Sequence, residues 1–213
     1  MACSRCAGIE RQFDATVARR QLRRYRKKGV SKTTGMLLDA LSSGGTEDAS
    51  FLDIGGGIGV VQHELMDAGA SGGTSVEAST AYLEAARGEA EARGFADRVR
   101  YVAGDFVDLQ AQVEEADLVS LDRVVCCYPD MPALVDASAT RARRAYGLVY
   151  PRDRRLVRLG IGVLNCIQRI RRHPFRAYVH PTSEVEARVR SHGFRKTFQG
   201  GTLLWQVAVF SRP

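Results

Sequence analysis

The stretch FLDIGGGIG, Phe51 to Gly59, decides how the rest of the chain is read. Strand-forming residues Phe51-Leu52-Asp53-Ile54 run straight into Gly55, Gly56, Gly57 and Gly59. An apolar helical pattern then starts at once with Val60, Val61, Leu65 and Met66. That order spells a strand, a tight turn and a helix N-terminus. Glycines suit such a turn because it demands φ values that a Cβ disfavours, and because a ligand must come close to the backbone. Gly55-x-Gly57 alone satisfies part of a dinucleotide fingerprint and also occurs in turns that bind nothing. Asp53, two residues before the first glycine, favours a ligand.

Outward from this turn the pattern alternates. Toward the N-terminus, Ile9–Lys28 reads as one helix with an approximate stripe of Ile9, Phe13, Val17, Leu22 and Tyr25, ended by Gly29. Lys32–Leu41 is a second, amphipathic helix that stops at Ser42-Ser43-Gly44-Gly45. Toward the C-terminus come strand Ser50–Ile54, helix Ile58–Ala68, strand Thr74–Glu77 and helix Thr80–Arg93, with Ser79 as its N-cap and Gly94 as its stop. Strands Val99–Ala103 and Leu118–Leu121, helix Ala133–Arg144 and strand Tyr146–Tyr150 follow. After an insert, helix Thr182–Ser191 leads to two runs, Arg195–Gln199 and Leu203–Phe210, that read as an antiparallel hairpin. Repeated βα units imply an α/β fold: a Rossmann-like, seven-stranded, mostly parallel sheet closed by that hairpin. One domain accounts for the chain, with residues 1–45 as a basic helical arm, 46–213 as the main body and 151–181 as the insert.

Composition narrows the class. At 213 residues, 45% hydrophobic and 26% charged, the chain is an ordinary globular one, not a disordered one. Its net charge of +7 is unevenly placed: residues 1–32 hold ten Lys/Arg against Glu10 and Asp14, and residues 141–176 hold eleven Arg against Asp153. Such clusters suit nucleic acid, an anionic membrane surface, a polyanionic small molecule or plain solvation. The five cysteines, Cys3, Cys6, Cys126, Cys127 and Cys166, have no disulfide-framework spacing, which reads as a reduced, cytoplasmic protein. Cys3-x-x-Cys6 has no second spaced pair, and the adjacent Cys126 and Cys127 are poor tetrahedral ligands, so no metal site is expected. No apolar run is long enough to span a bilayer, and no secretory leader is apparent.

Ligands of such sheets sit outside the carboxyl ends of the strands. At those ends, Glu77 can accept both hydrogen bonds of a ribose diol. Asp105 beside Phe106 suits an exocyclic adenine amine and the face of its ring. Asp122, at the end of the fourth strand, stands where the reactive end of a cofactor would lie.

In this order and spacing, Asp53–Gly59, Glu77, Gly104-Asp105 and the closing hairpin resemble class I S-adenosylmethionine-dependent methyltransferases over residues 50–210. The resemblance implies that Asp53, Gly55, Gly57 and Gly59 hold the methionine end of S-adenosylmethionine, Glu77 the ribose, Asp105 and Phe106 the adenine, with Asp122 near the sulfonium. A nicotinamide enzyme is disfavoured because Val60 stands where a third glycine is needed. Within the class, DRVVCCYPDM (Asp122–Met131) and FRAYVHPTSEVEARV (Phe175–Val189) look like magnesium-protoporphyrin IX O-methyltransferases. The chain departs from that pattern at Gly56, where the family usually has cysteine, and in Cys126-Cys127 and its dense arginines.

That likeness implies O-methylation of a small, carboxylate-bearing, rather apolar acceptor. An RNA methyltransferase and a non-catalytic S-adenosylmethionine-binding protein are the alternatives. Nucleic acid is disfavoured, since Asp122-Arg123-Val124-Val125 stands where an Asn-Pro-Pro-Tyr-like motif would follow the fourth strand. Methyl transfer needs alignment and exclusion of water more than proton transfer. His180 is the candidate base or orienting group, with Tyr150 and Asp122 beside it. Tyr25, Tyr128, Tyr178, Arg152 and Arg176 are candidates to bind the acceptor. In the insert, Leu156, Leu159, Val163, Ile167 and Ile170 keep helical spacing, which reads as a lid helix over the pocket. A weaker alternative is contact with an anionic membrane surface.

Overall fold

The computed structural model describes residues 4–213, with side chains from Gly8 onward. Cys3, and the side chain of Cys6, therefore lie outside the described residues. The strands are β1 (Ser50–Ile54), β2 (Gly72–Glu77), β3 (Val99–Ala103), β4 (Ala116–Asp122), β5 (Ala142–Pro151), β6 (Arg195–Gly201) and β7 (Trp205–Ser211). They form one sheet in the order β3-β2-β1-β4-β5-β7-β6. The first five run parallel, and β7 pairs antiparallel with both β5 and β6. The expected seven-stranded sheet with a terminal hairpin is what forms.

Helices cover both faces, as parallel strands require. They are α1 (Ser4–Gln12), α2 (Ala15–Lys28), α3 (Lys32–Leu41), α4 (Val60–Asp67), α5 (Thr80–Ala92), the single turn α6 (Phe106–Leu109), α7 (Met131–Ala139), α8 (Arg155–Ile170) and α9 (Thr182–Ser191). One core layer joins Ile54, Leu121, Tyr146 and Leu148 to Leu134 of α7 and Val185 and Val189 of α9. The other joins Phe51, Leu118, Val149 and Val207 to Leu37 and Leu41 of α3 and Leu65 of α4. Ser79 caps α5 by accepting from the Tyr82 amide, as its position predicts.

Three expectations need correction. The single N-terminal helix is two, because the Asp14 side chain accepts hydrogen bonds from the Thr16 and Val17 amides and so starts a new helix at Ala15. The helix expected to reach Arg144 ends at Ala139, because Arg143 and Arg144 are exposed positions at the start of β5. The insert helix does not pack its stripe over a pocket: Leu156, Leu159 and Ile170 are 82%, 65% and 77% exposed. α8 seats its opposite side instead, with Val157 buried and Asn165 bonded both ways to the Ala177 backbone.

The arm is held differently. Ala18, Tyr25, Ile58 and Tyr82 form a third apolar cluster, joined by Phe13, Val17 and Leu22. It fixes α2 along α5, from Tyr82 near the start of that helix to Glu89 near its end, which pairs with Arg26, and against the glycine turn. The Tyr25 hydroxyl donates to Glu64 Oε1 of α4 at 2.5 Å, and its ring lies beneath the Arg93 guanidinium.

Candidate active site

At the carboxyl ends of the parallel strands, under α2, lies a cleft of about 850 Å³. Its floor is Asp53 and the loop Gly55-Gly56-Gly57; its walls include Glu77, Tyr82, Asp122, Arg123, Cys127 and Trp205. A smaller, mostly apolar cavity of about 70 Å³ adjoins it, lined by Val76, Gly104, Asp105, Phe106, Tyr128 and Leu134. Ile9, Gly55, Glu77, Val124 and Cys127 border both spaces.

The loop glycines do different work. A Cβ on Gly56 would stand 2.6 Å from Asp53 Oδ2 and 2.9 Å from Ser75 Oγ, so the loop can lie against the buried carboxylate only without one. Gly59, at φ +81°, starts α4, and a Cβ there would meet the Gln62 and His63 side chains at 2.7 Å. It is not among the lining residues, although Ile58 and Val60 on either side of it are, and its conformation serves the helix start.

Asp53 is fully buried. Oδ1 accepts from Ser120 Oγ at 2.7 Å, while Oδ2 has no partner at hydrogen-bonding geometry. Burial, with the nearby carboxylates of Asp122 and Glu77, pushes its pKa up to about 7. Glu77 is ordered by backbone donors: Gly57 N to Oε2 at 2.9 Å and Ser79 N to Oε1 at 2.8 Å. Burial raises its pKa and these donors oppose the rise. Asp122 accepts from Thr34 Oγ1 of α3 through Oδ2; its Oδ1 makes no hydrogen bond and lies 3.8 Å from Arg123 Nη1. Burial raises this carboxyl too. Three carboxylates thus converge on one cleft, two with an oxygen that no protein donor satisfies, an arrangement that favours a cationic occupant. Arg123 follows at φ +64°, an uncommon conformation for a non-glycine residue. Its guanidinium spans Ser31, Thr33 and the Trp205 ring.

In the smaller cavity, Asp105 caps α6 through the Val107 amide and accepts from the Tyr128 hydroxyl at 3.1 Å. Phe106 forms part of the wall. Tyr25 does line the large cleft, although its hydroxyl is committed to Glu64.

Five expected site residues lie elsewhere. Tyr150 is packed into the sheet core and lines neither cavity. His180 Nε2 donates to the Tyr128 carbonyl at 3.0 Å, so that nitrogen carries a proton and cannot accept one. Tyr178 stacks on the His180 ring, and its amide donates to the Cys126 carbonyl. Arg152 donates to the Thr202 carbonyl, and Arg176 to those of His173 and Phe175. Both guanidinium groups are spent on backbone in the hairpin turn and the strap before α9.

Besides Arg123, the cations that reach the cleft come from the arm. Arg20, Arg24 and Lys28 occupy positions i, i+4 and i+8 of α2 and line the cleft together with Lys32. No carboxylate of the described residues lies within ion-pair distance of these four. Their spacing was readable in the sequence, but not which side of α2 would face a ligand. Thr34, Ser31, Tyr82 and Trp205 were likewise missed, being ordinary core or surface residue types. Among the described residues, no group of three or more His, Cys, Asp or Glu is arranged to hold a metal ion.

Comparison with known proteins bears on the fold that carries this cleft. Residues 51–145 match the family model described as a methyltransferase domain. No curated protein matches the chain. Among solved structures it is similar to magnesium protoporphyrin IX methyltransferase from Synechocystis PCC 6803 with bound S-adenosylhomocysteine, at 20% identity and a TM-score of 0.76, covering 98% of this chain and 100% of that one. It is also similar to a putative sarcosine dimethylglycine methyltransferase from Galdieria sulphuraria, at 13% identity and a TM-score of 0.68, covering 88% of this chain and 87% of that one.

Proposed function

We propose that this class I S-adenosylmethionine-dependent methyltransferase transfers the methyl group to a carboxylate on an apolar, tetrapyrrole-like small molecule held beneath the N-terminal arm. The observation that carries the reading is the row Arg20, Arg24 and Lys28, with Lys32, lining the same cleft as Asp53 and Asp122. The solved porphyrin methyltransferase supports the acceptor class by likeness of fold.

The residues present fit the cofactor. Unsatisfied oxygens of Asp53 and Asp122 suit its ammonium and sulfonium charges, and the missing Cβ of Gly56 leaves the loop open to its amino-acid end. Glu77, bordering both spaces, suits the ribose between them. The small cavity beside Phe106, with the Asp105 carboxylate in its wall, suits adenine. When bound, S-adenosylmethionine supplies an electrophilic methyl group on sulfur.

The chain's own residues then have three tasks. Arg20, Arg24, Lys28 and Lys32 bind and orient the acceptor's anionic groups. Ile9, Phe13, Val30 and Trp205 line the same cleft and exclude water from the reacting pair. A carboxylate acceptor is already ionised at neutral pH, so no side chain has to remove a proton. That agrees with a cleft whose titratable side chains, besides carboxylates and cations, are Tyr25, already committed to Glu64, Tyr82, whose pKa burial raises, and Cys127, whose pKa is raised by Cys126 and by burial, and with a His180 that acts on the Tyr128 loop instead. His180 is a positioning residue in this reading.

Calorimetry with S-adenosylhomocysteine tests the cofactor site by itself. The acceptor class is tested with a free-acid tetrapyrrole and its fully esterified counterpart. Methylation of the acid alone is the expected result; turnover of the ester but not the acid overturns the reading.

A further inference from the structure

α8 leaves an apolar stripe in water. Leu156, Leu159, Val163, Ile167 and Ile170 are between 43% and 82% exposed and lie on one side of a helix whose other side is seated on the protein. The turn between β6 and β7 adds Leu203 and Leu204, 72% and 55% exposed. The two patches are joined at their base: the Arg152 amide, just before α8, donates to the Leu204 carbonyl. Trp205, the next residue, lines the cleft, so the apolar surface ends at the cleft's edge.

The charges around the stripe identify its occupant. Arg154, Arg155 and Arg158 stand at the start of α8 and Arg169, Arg171 and Arg172 at its end, all exposed. Asp153 is the acidic residue of the segment and is already paired with Arg158. A second copy laid on the same stripe would bring these arginines against their own kind. An anionic lipid surface takes both features: acyl chains meet the leucines and isoleucines, and headgroups meet the arginines. Among the described residues no helix is long and apolar enough to cross a membrane. At 16 residues α8 is about 24 Å long, and its one-sided stripe suits lying flat in the interface.

The geometry points to α8 and the Leu203-Leu204 turn as a reversible docking surface for anionic membranes, which would set the cleft edge at the lipid boundary where an apolar acceptor partitions. The placement stands whatever the acceptor proves to be.

Vesicle sedimentation of the full chain tests it directly. The full chain should pellet with phosphatidylcholine vesicles containing about one-third phosphatidylglycerol at low salt, and stay in solution with phosphatidylcholine alone. Raised salt should release it. The double variant Leu159→Ser with Ile167→Ser should bind at least about tenfold more weakly, and Arg169→Gln about fivefold. Each should keep its thermal midpoint, since these side chains are exposed. Failure to pellet with anionic vesicles at low salt overturns the proposal. So does a dimer in vesicle-free buffer that the double variant returns to monomer, which would assign the stripe to a second copy.

Discussion

The arm and the insert helix are both amphipathic and both rich in arginine, yet the fold uses them in opposite senses. α2 buries Ala18 and Tyr25 against α5 and the glycine turn, and so presents Arg20, Arg24 and Lys28 to the cleft. α8 seats Val157 and Asn165 and leaves its leucines in water. A pattern of apolar and charged positions fixes that a helix has two faces. Which face meets the protein depends on what the sheet places opposite it. The arm faces a buried aromatic, Tyr82, and the loop residue Ile58; α8 faces the strap before α9 and, through Gln168, the end of α1 at Gln12.

The largest expected effect tests whether the arm is built into the domain. Tyr25→Ala should destabilise the protein by about 3–4 kcal/mol in urea denaturation, because it removes a ring 6% exposed together with its contacts to Glu64, Arg93 and His63. A loss below about 1 kcal/mol would show the arm to be loosely attached and would erase its contrast with α8.

Charge is the next difference. Arg24→Glu should raise the KM for a carboxylate acceptor about thirtyfold while leaving S-adenosylhomocysteine affinity within about twofold, since it removes a charge-assisted contact to the acceptor alone. Arg169→Glu on α8 should leave both constants unchanged in a lipid-free assay. Equal effects of the two substitutions would mean that the basic residues act through overall charge and not through position.

How much of this was legible follows from which interactions are local. The strand, the glycine turn and Asp53 are encoded within nine residues, and Glu77, Asp105 and Asp122 follow from knowing where parallel strands end. The break at Asp14 was hidden because Ile9, Phe13 and Val17 keep an apolar rhythm across it, although Asp14 itself is a good cap residue. Arg152 and Arg176 looked like acceptor ligands because an arginine's partner is invisible in a sequence. Here the partners are backbone carbonyls of the hairpin turn and the strap. For the same reason the basic cluster of the arm leaves an anionic ligand and plain solvation both open, and Arg20, Arg24 and Lys28 do not stand out within it.

Beneath the arm, pH offers a sharper test. The Asp53 pKa is raised from 3.8 to about 7, so ionising this carboxyl costs stability increasingly between those values and by a constant amount above them. An occupant with an ammonium group favours the ionised form. Its affinity should therefore be full above pH 7 and fall by up to tenfold per pH unit below it. Calorimetry with S-adenosylhomocysteine from pH 8 to pH 5.5 measures this, and Asp53→Asn should bind weakly without the slope. The same variant should be more stable than wild type at pH 8, because an amide has no charge to bury. A flat profile in the wild type would mean that the cofactor's ammonium group does not meet Asp53.

The smallest expected effect bears on the insert. Leu159→Ser should change stability by no more than about 0.5 kcal/mol, since the side chain is already 65% exposed and only helix propensity is lost. In a lipid-free assay with a soluble carboxylate acceptor its KM should equal that of the wild type. α8 was expected to be a lid, and a lid would close its stripe on the acceptor, so the same substitution would then raise KM severalfold. A KM that moves only when anionic vesicles are added would separate the helix from the chemistry and assign it to delivery. In that case the arm selects the acceptor by charge, and the insert decides from which surface the acceptor is taken.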